Sequence, residues 1–116
     1  MSTLEVSNLN DGTTTVATTF VTNGSAKAWL EASSSASLNN SYNISSGTDN
    51  GTGNYTYAFT SSFSGNWSPS GIVTQNSSYI EYLQTLSAGS GQLRIASDSG
   101  SATDSSNAMT IHGDLA

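Results

Sequence analysis

Two short segments in which apolar and polar residues alternate constrain the fold of this sequence more than any other feature. The first, Ser41–Ser46, is predicted to place Tyr42 and Ile44 on one face, and the second, Asn54–Thr60, places three aromatic side chains on one face. A side-chain period of two is typical of a half-buried β-strand. Between them lies Gly47–Gly53, whose Asn-Gly pair and further glycines favour the positive φ values of a hairpin turn. The sequence therefore predicts an antiparallel hairpin at the centre of a sheet.

The rest of the chain also favours strands, because charged helix formers are scarce and short β-type runs lie between turn clusters at close spacing. Even Ser78–Leu86, which has some helical spacing, alternates as a strand, with Tyr79, Glu81 and Leu83 on one side and Ile80 and Tyr82 on the other. We therefore predict an all-β fold, a small antiparallel β-sandwich or barrel-like domain. The predicted strands are Leu4–Val6, Thr15–Val21, Ala26–Glu31, Ser41–Ser46, Asn54–Thr60, Gly71–Gln75, Ser78–Leu86, Gln92–Ser97 and Ala108–His112.

Large apolar side chains are scarce in this chain. Leu, Ile, Val and Phe make up 20 of the 116 residues, whereas Ser, Thr, Asn and Gly make up about half. Since a domain of this size buries only about two thirds of its unfolded surface, such a chain has little apolar area to stabilise a monomer. Burial between subunits would supply the missing stabilisation. We expect a homotrimer, with residues 1–22 as an extended arm for attachment and residues 23–116 as the β-domain.

Charge and composition also exclude several classes of partner. The net charge is -6, with eight acidic residues against two basic ones, so phosphate backbones are repelled and no nucleic-acid partner is expected. The absence of cysteine excludes disulfides and cysteine-based metal sites. No segment approaches the ~20 apolar residues of a membrane span, and the first residues lack the pattern of a signal peptide. We expect no membrane insertion.

Candidate catalytic and metal-binding residues are few. With one histidine, no cysteine and scattered carboxylates, we predict no enzyme, no cofactor and no metal site. His112 leaves an alternative open: three copies near a threefold axis would form a tripod for a metal, whereas the simpler interpretation is an exposed histidine near the C-terminus. The acidic segments Asp49–Gly51 and Asp98–Asp104 lack the dense oxygen ligands of a calcium loop, and turn chemistry explains both.

The aromatic residues are the strongest candidates for ligand contact, because aromatic rings stack on the apolar faces of sugars. Trp29 lies among Ala and Leu and is predicted to be in the core or at a subunit contact. Trp67 lies in a Ser/Gly/Pro turn and is predicted to be near the surface, where it would bind a ligand together with Asn66 and Tyr79. The polar loop Ser97–Asn107 is expected to have no packing role and to belong to the same surface.

Three motifs occur in order along the chain: Lys27-Ala-Trp29, Ser41-Tyr-Asn-Ile-Ser-Ser46 and Thr48-Asp-Asn-Gly-Thr-Gly-Asn-Tyr-Thr56. In these motifs the sequence resembles a domain of bacteriophage tail-fibre and fibre-tip proteins, which has Lys-Ala-Trp, S-[FY]-N-[VI]-S-S and T-D-N-G-T-G-x-Y-T at about this spacing. The resemblance extends from about Asn23 to the end and is looser after Phe63. Asn39-Asn40 stands where that family often has Arg-Asp, so a salt bridge there is absent or replaced.

The resemblance implies a β-domain of the virion, usually trimeric, whose variable loops contact the host. The expected function is a tail-fibre or fibre-tip component that takes part in host-surface recognition and adsorption. Its expected partners are two further copies of itself, other virion structural proteins and a host saccharide or protein receptor. The alternative is a capsid or tail decoration protein (a head fibre or cement protein) with a purely structural role. An enzyme that degrades surface polysaccharide is disfavoured, because no carboxylate pair is evident.

Overall fold

The structure, a computed structural model, describes residues 1–65, 67–74 and 78–116. Within these ranges the protein is mostly β, and its two four-stranded antiparallel sheets pack as a small sandwich. The predicted fold class is therefore confirmed. The elements are β1 (Asn8–Asn10), β2 (Thr15–Ala17), α1 (Thr18–Gly24), β3 (Ala28–Ala32), β4 (Leu38–Tyr42), β5 (Ile44–Asp49), β6 (Asn54–Phe59), β7 (Ser68–Val73), β8 (Tyr79–Leu86), β9 (Ser90–Ser97) and β10 (Asn107–His112).

Each edge strand of one sheet is followed in the chain by an edge strand of the other sheet. The first sheet has the order β4-β3-β10-β7 and the second has the order β5-β6-β9-β8. Strands β4 and β5 follow one another in the chain and form corresponding edges, and β7 and β8 form the two remaining edges. All paired strands are antiparallel. The sandwich is therefore bounded on both sides by strands that are neighbours in sequence.

The predicted hairpin is present as β5 and β6. Asp49 pairs with Tyr55, and the turn between them places Gly51 at φ 115° and Gly53 at φ 62°, which glycine adopts without strain. Tyr55 and Tyr57 are fully buried, and Phe59 nearly so. The period of two in β6 therefore marks the inner face of the second sheet, as predicted.

The first predicted strand of that hairpin is interrupted at Asn43, so the prediction that Tyr42 and Ile44 share a face is wrong. Asn43 has φ 57°, a left-handed conformation that asparagine tolerates. Its amide donates to the carbonyls of Lys27 and Ser61, both at 3.1 Å, and its side-chain oxygen accepts from the Ser61 N–H at 2.7 Å. These bonds stabilise a corner at which the chain passes from β4 to β5. Tyr42 lies exposed on the first sheet and Ile44 buried in the second.

The core lies between the sheets and is built by alternation in the central strands. In β3 and β10 every second residue is buried, and the same holds for most of β9. Phe59, Phe63 and Trp67 form an aromatic cluster at one end, with ring centroids 4.9 to 6.0 Å apart. The buried apolar residues are Ala28, Leu30, Ala32, Ala36, Ile44, Tyr55, Tyr57, Phe59, Phe63, Trp67, Leu93, Ile95, Ala96, Met109 and Ile111.

The N-terminal segment, residues 1–25, lies outside this core. It consists of the β1–β2 hairpin and α1, and none of its residues is buried. The predicted strand Leu4–Val6 is wrong, and the predicted strand Thr15–Val21 ends at Ala17, where α1 begins. Helix α1 also extends past the boundary expected at residue 22. In the described ranges no helix is long and apolar enough to cross a membrane.

The molecule is elongated because the N-terminal segment lies outside the sandwich. Its radius of gyration is 16.7 Å and its longest dimension is 51 Å, whereas a compact domain of this length has a radius of gyration of about 13 Å. The chain joins the sandwich at Lys27, whose N–H donates to the Ile111 carbonyl at 2.8 Å. The apolar side chains before it, including Leu4 and Phe20, are exposed to solvent.

Candidate functional site

Trp67 is part of the core, so the prediction that it lies near the surface is wrong. Only 5% of the residue is exposed. Its ring packs edge-on against Phe59, and its Nε1 donates to the Ser87 carbonyl at 2.8 Å. The polar residues around Trp67 in sequence form a turn, but the shortage of other large apolar residues places the indole inside. The ring face is therefore covered by protein and cannot stack on a ligand.

The ligand site predicted from Trp67, Tyr79 and Asn66 is not formed. Tyr79 is partly buried and packs against the hydrophobic core. Asn66 lies outside the described residues. The alternation predicted for β8 is confirmed: Tyr79, Glu81 and Leu83 face inward, and Ile80 and Tyr82 face outward. Tyr79 belongs to the inward set.

The loop between β9 and β10 also has a packing role, contrary to the prediction for Ser97–Asn107. Asp104 accepts hydrogen bonds from the Gly53 N–H at 2.7 Å and from the Tyr55 hydroxyl at 3.1 Å. Ser105 is buried, and the fully buried Asn107 accepts from the Tyr57 hydroxyl at 3.1 Å. The loop therefore stabilises the turn of the β5–β6 hairpin and the buried tyrosines of β6.

An exposed aromatic row lies instead on the outer face of the first sheet. Because β3 alternates, Ala28, Leu30 and Ala32 point inward and Trp29 points outward, with 37% of the residue exposed. The prediction of Trp29 in the core is therefore wrong, while a subunit contact remains a prediction. Trp29 pairs with Tyr42 on β4, of which 59% is exposed.

A groove continues this row across the sheet. On the central strand β10, Thr110 pairs with Trp29 on one side and with Ser70 of β7 on the other. The next outward residue, Ala108, pairs with Ile72, of which 64% is exposed. Small side chains on β10 thus form a floor between large ones on β3 and β7. This depression, about 370 Å³ in volume, is called the Trp29 groove; it is lined by Trp29, Leu30, Ser70, Gly71, Ile72, Ala108, Met109 and Thr110.

The polar groups of the Trp29 groove are available to a ligand. Within the described part of the chain, the Trp29 Nε1 and the Ser70, Thr110 and Tyr42 hydroxyls make no hydrogen bond to protein, and none of them is buried. The residues that line the groove include no ionisable side chain. The groove therefore offers apolar walls, hydroxyl and N–H groups, and no charge. The alternation of β3 in the sequence was a signal for this outward tryptophan, since Ala28, Leu30 and Ala32 form an apolar set of their own.

Glu81 is a second unusual feature, at the edge where β7 and β8 meet. Burial raises the pKa of its carboxyl to about 7. Its Oε2 is buried and has no hydrogen-bond partner within the described residues. Its Oε1 lies against Gly71, where a Cβ atom would come within 2.2 Å of it. The absence of a side chain at Gly71 makes room for the carboxyl.

Several other titratable side chains belong to the core, to turns or to strand ends. Burial raises the pKa of Tyr57 to about 12, and burial also raises the pKa of Tyr55. Asp49 and Asp98 lie at turns: Asp49 accepts from the Gly51 N–H at 2.9 Å, and Asp98 is in the turn that follows β9. His112 is the last residue of β10 and is partly buried opposite Ser68. Across the described ranges, no three His, Asp or Glu side chains are grouped to hold a metal ion.

Comparison with known proteins finds no match, whether to a family model, a curated protein or a solved structure. The likeness to phage fibre domains therefore depends on the three sequence motifs. In the structure these motifs occupy β3, the β4–β5 corner and the β5–β6 hairpin.

Proposed function

We propose that this chain is a non-enzymatic structural protein of a bacteriophage virion, a tail-fibre or fibre-tip component that takes part in host-surface recognition. The three motifs shared with fibre domains support the class of protein. They form one continuous part of the sandwich, from Lys27 to Thr56, rather than scattered surface positions. The fold is also suited to the role, because a sandwich bounded by its own neighbouring strands presents two broad outer faces.

The observation that carries the proposal is the unpacked N-terminal segment. Leu4 and Phe20 are 82% and 74% exposed, and other apolar residues of this segment are exposed with them. The molecule exposes 6826 Å², against about 5,950 Å² expected for a compact monomer of this mass. The excess of about 900 Å² is enough for one partner's share of a stable interface, which is roughly 800 Å². This surface is what an assembly would bury, and the resemblance to fibre domains, which are usually trimeric, leads us to propose a homotrimer.

Trimerisation also suits weak recognition of a surface. Three copies on one particle raise the effective concentration of each binding site for the next, so a single site needs only low affinity. The chain's net charge of -6 disfavours binding to phosphate polymers and leaves neutral surface groups as the better partners. A decoration protein is the second candidate, favoured by the same exposed segment if it packs on a shell protein instead of on its own copies.

Sedimentation equilibrium of the full chain tests the assembly. The expected mass is three times 11.9 kDa. A double variant, Leu4→Ser with Phe20→Ser, should sediment as a folded monomer, because it removes apolar area from the proposed interface. The control is Ile80→Ser, which removes an exposed apolar side chain from the sandwich; it should remain trimeric. A folded monomer of the unaltered chain at micromolar concentration would contradict the proposal.

A further inference from the structure

The Trp29 groove combines features that define a class of ligand. Two neighbouring aromatic side chains, Trp29 and Tyr42, lie outward on adjacent strands, and the groove beside them carries free hydroxyl groups and no charge. We infer that the Trp29 groove binds a neutral saccharide, with one sugar ring stacked on the Trp29 indole. The inference rests on the proposed role in host-surface recognition and names the site and the ligand class for it.

The dimensions of the groove fit a sugar ring. The walls stand on β3 and β7, which are separated by β10, so their strand axes are about 9.5 Å apart. Trp29 on one wall and Ile72 on the other offer apolar surfaces, and Ala108 and Thr110 leave the floor open. A pyranose ring has an apolar C–H face and a rim of hydroxyls. Its face would contact the indole while its rim reaches the Thr110 and Ser70 hydroxyls.

The row of outward residues suggests more than one sugar position. Tyr42, Trp29, Thr110 and Ser70 are in register across four strands, so the row spans about 14 Å from the first strand to the last. This length exceeds that of a single ring. A chain of two or three sugars lying across the strands would place a second ring near Tyr42.

Charge distinguishes a neutral saccharide from an anionic one. The lining residues include no ionisable group. Of the charged residues two positions from Trp29, Glu31 is exposed on the same face, whereas the Lys27 ammonium is engaged by the Thr22 and Ser25 carbonyls. An anionic sugar would find no basic partner there and would meet repulsion from Glu31 and from the net charge of the chain.

The test is binding of the trimeric full chain to an array of neutral and anionic glycans, followed by titration with the best neutral oligosaccharide. The chain has two tryptophans, and only Trp29 is solvent-exposed, so protection from acrylamide quenching reports contact at the groove. Trp29→Ala should weaken binding by about ten-fold or more, as loss of an aromatic anchor does. Thr110→Val, which removes one hydroxyl at nearly constant volume, should weaken it less. The matched control is Tyr82→Ala, an exposed aromatic on the other sheet, which should bind as the unaltered chain does.

The results separate this inference from the proposed function. Binding of a neutral glycan, lost in Trp29→Ala with mass and circular dichroism unchanged, supports the site. Binding that survives Trp29→Ala overturns the site even if the chain is a host-recognition protein. Binding confined to anionic glycans, or to a proline-rich peptide in a parallel assay, overturns the ligand class. Dissociation of Trp29→Ala into monomers would show that the face is a subunit interface. That result would overturn the inference but not the proposal that the unaltered chain forms a trimer.

Discussion

Replacing Glu81 with glutamine should make the protein more stable at neutral and alkaline pH. The Glu81 carboxyl lies in the gap above Gly71, and its Oε2 is buried without a hydrogen-bond partner among the described residues. The ionised form loses its hydration there and has no compensating cation within the described ranges. The groups around it are a glycine and a proline of β7, Leu83 of β8, Leu93 of β9, Met109 of β10 and two titratable side chains, Tyr57 and Tyr82. Glutamine keeps the shape of the side chain and removes the charge.

The magnitude follows from the change in pKa. The carboxyl has an ordinary pKa of 4.5 and a pKa of about 7 in the fold. A shift of one unit corresponds to about 1.4 kcal/mol, so the upper limit is about 3.4 kcal/mol, and partial exposure of the side chain reduces this to about 2 kcal/mol. Because the pKa is raised on folding, the stabilisation is complete below pH 4.5 and is lost as the pH rises through about 7.

Urea unfolding at fixed subunit concentration, from pH 4.5 to pH 8, measures this effect. The unaltered chain should lose about 2 kcal/mol of unfolding free energy across the range, and Glu81→Gln should lose much less. The control is Glu31→Gln, which removes an exposed carboxylate and should keep the pH dependence of the unaltered chain. Parallel pH profiles for Glu81→Gln and the unaltered chain would refute the reasoning, since the Glu81 carboxyl would then be solvated in the fold.

Substitutions at three further positions have effects that the same structure predicts. Trp67→Ala should lower the unfolding free energy by about 4 kcal/mol, because it empties a core position; a loss below about 1 kcal/mol in urea unfolding would place the indole at the surface. Asn43→Ala should cost about 2 kcal/mol more than Asn43→Gly, since glycine keeps the left-handed backbone and alanine does not; equal losses would mean that the hydrogen bonds alone matter. Gly71→Ala should push the Glu81 carboxyl toward water and flatten the pH profile of unfolding, and an unchanged profile would contradict the contact.

The sequence was sufficient to predict the elements whose signal is local. The period of two in β6 and β8 determined their inner and outer faces, and glycine at residues 51 and 53 supplied the positive φ of the hairpin turn. These features depend on a side chain and its neighbours along one strand. The all-β class follows from the same signals repeated along the chain.

The corner at Asn43 and the place of Trp67 depended on contacts between distant residues, and for that reason they were predicted wrongly. Asn43 bonds to Lys27 and Ser61, which lie 16 and 18 residues away, so no local pattern reveals the break between β4 and β5. Trp67 is held by the Ser87 carbonyl, 20 residues away. Polar neighbours in sequence suggested a surface turn, but the need to fill the core determined where the indole lies.

The Trp29 groove depends partly on a local sequence signal and partly on contacts between distant residues. The alternation of β3 is local and assigns Trp29 to the face opposite Leu30. The other wall of the groove required the pairing of β10 with β7, which the sequence does not specify. The outward tryptophan was therefore predictable, whereas the site that it forms with Ile72 and Ser70 was not.

Immunogold electron microscopy of purified phage particles tests the proposed virion role most directly. If the proposal is right, an antibody raised against the purified chain should label phage particles, with gold at the tail fibres or their tips. Pre-incubation of the antibody with purified chain should abolish the label. Gold distributed over the capsid would instead support the decoration protein. Particles that carry neither the label nor this chain's peptides by mass spectrometry would contradict the virion role.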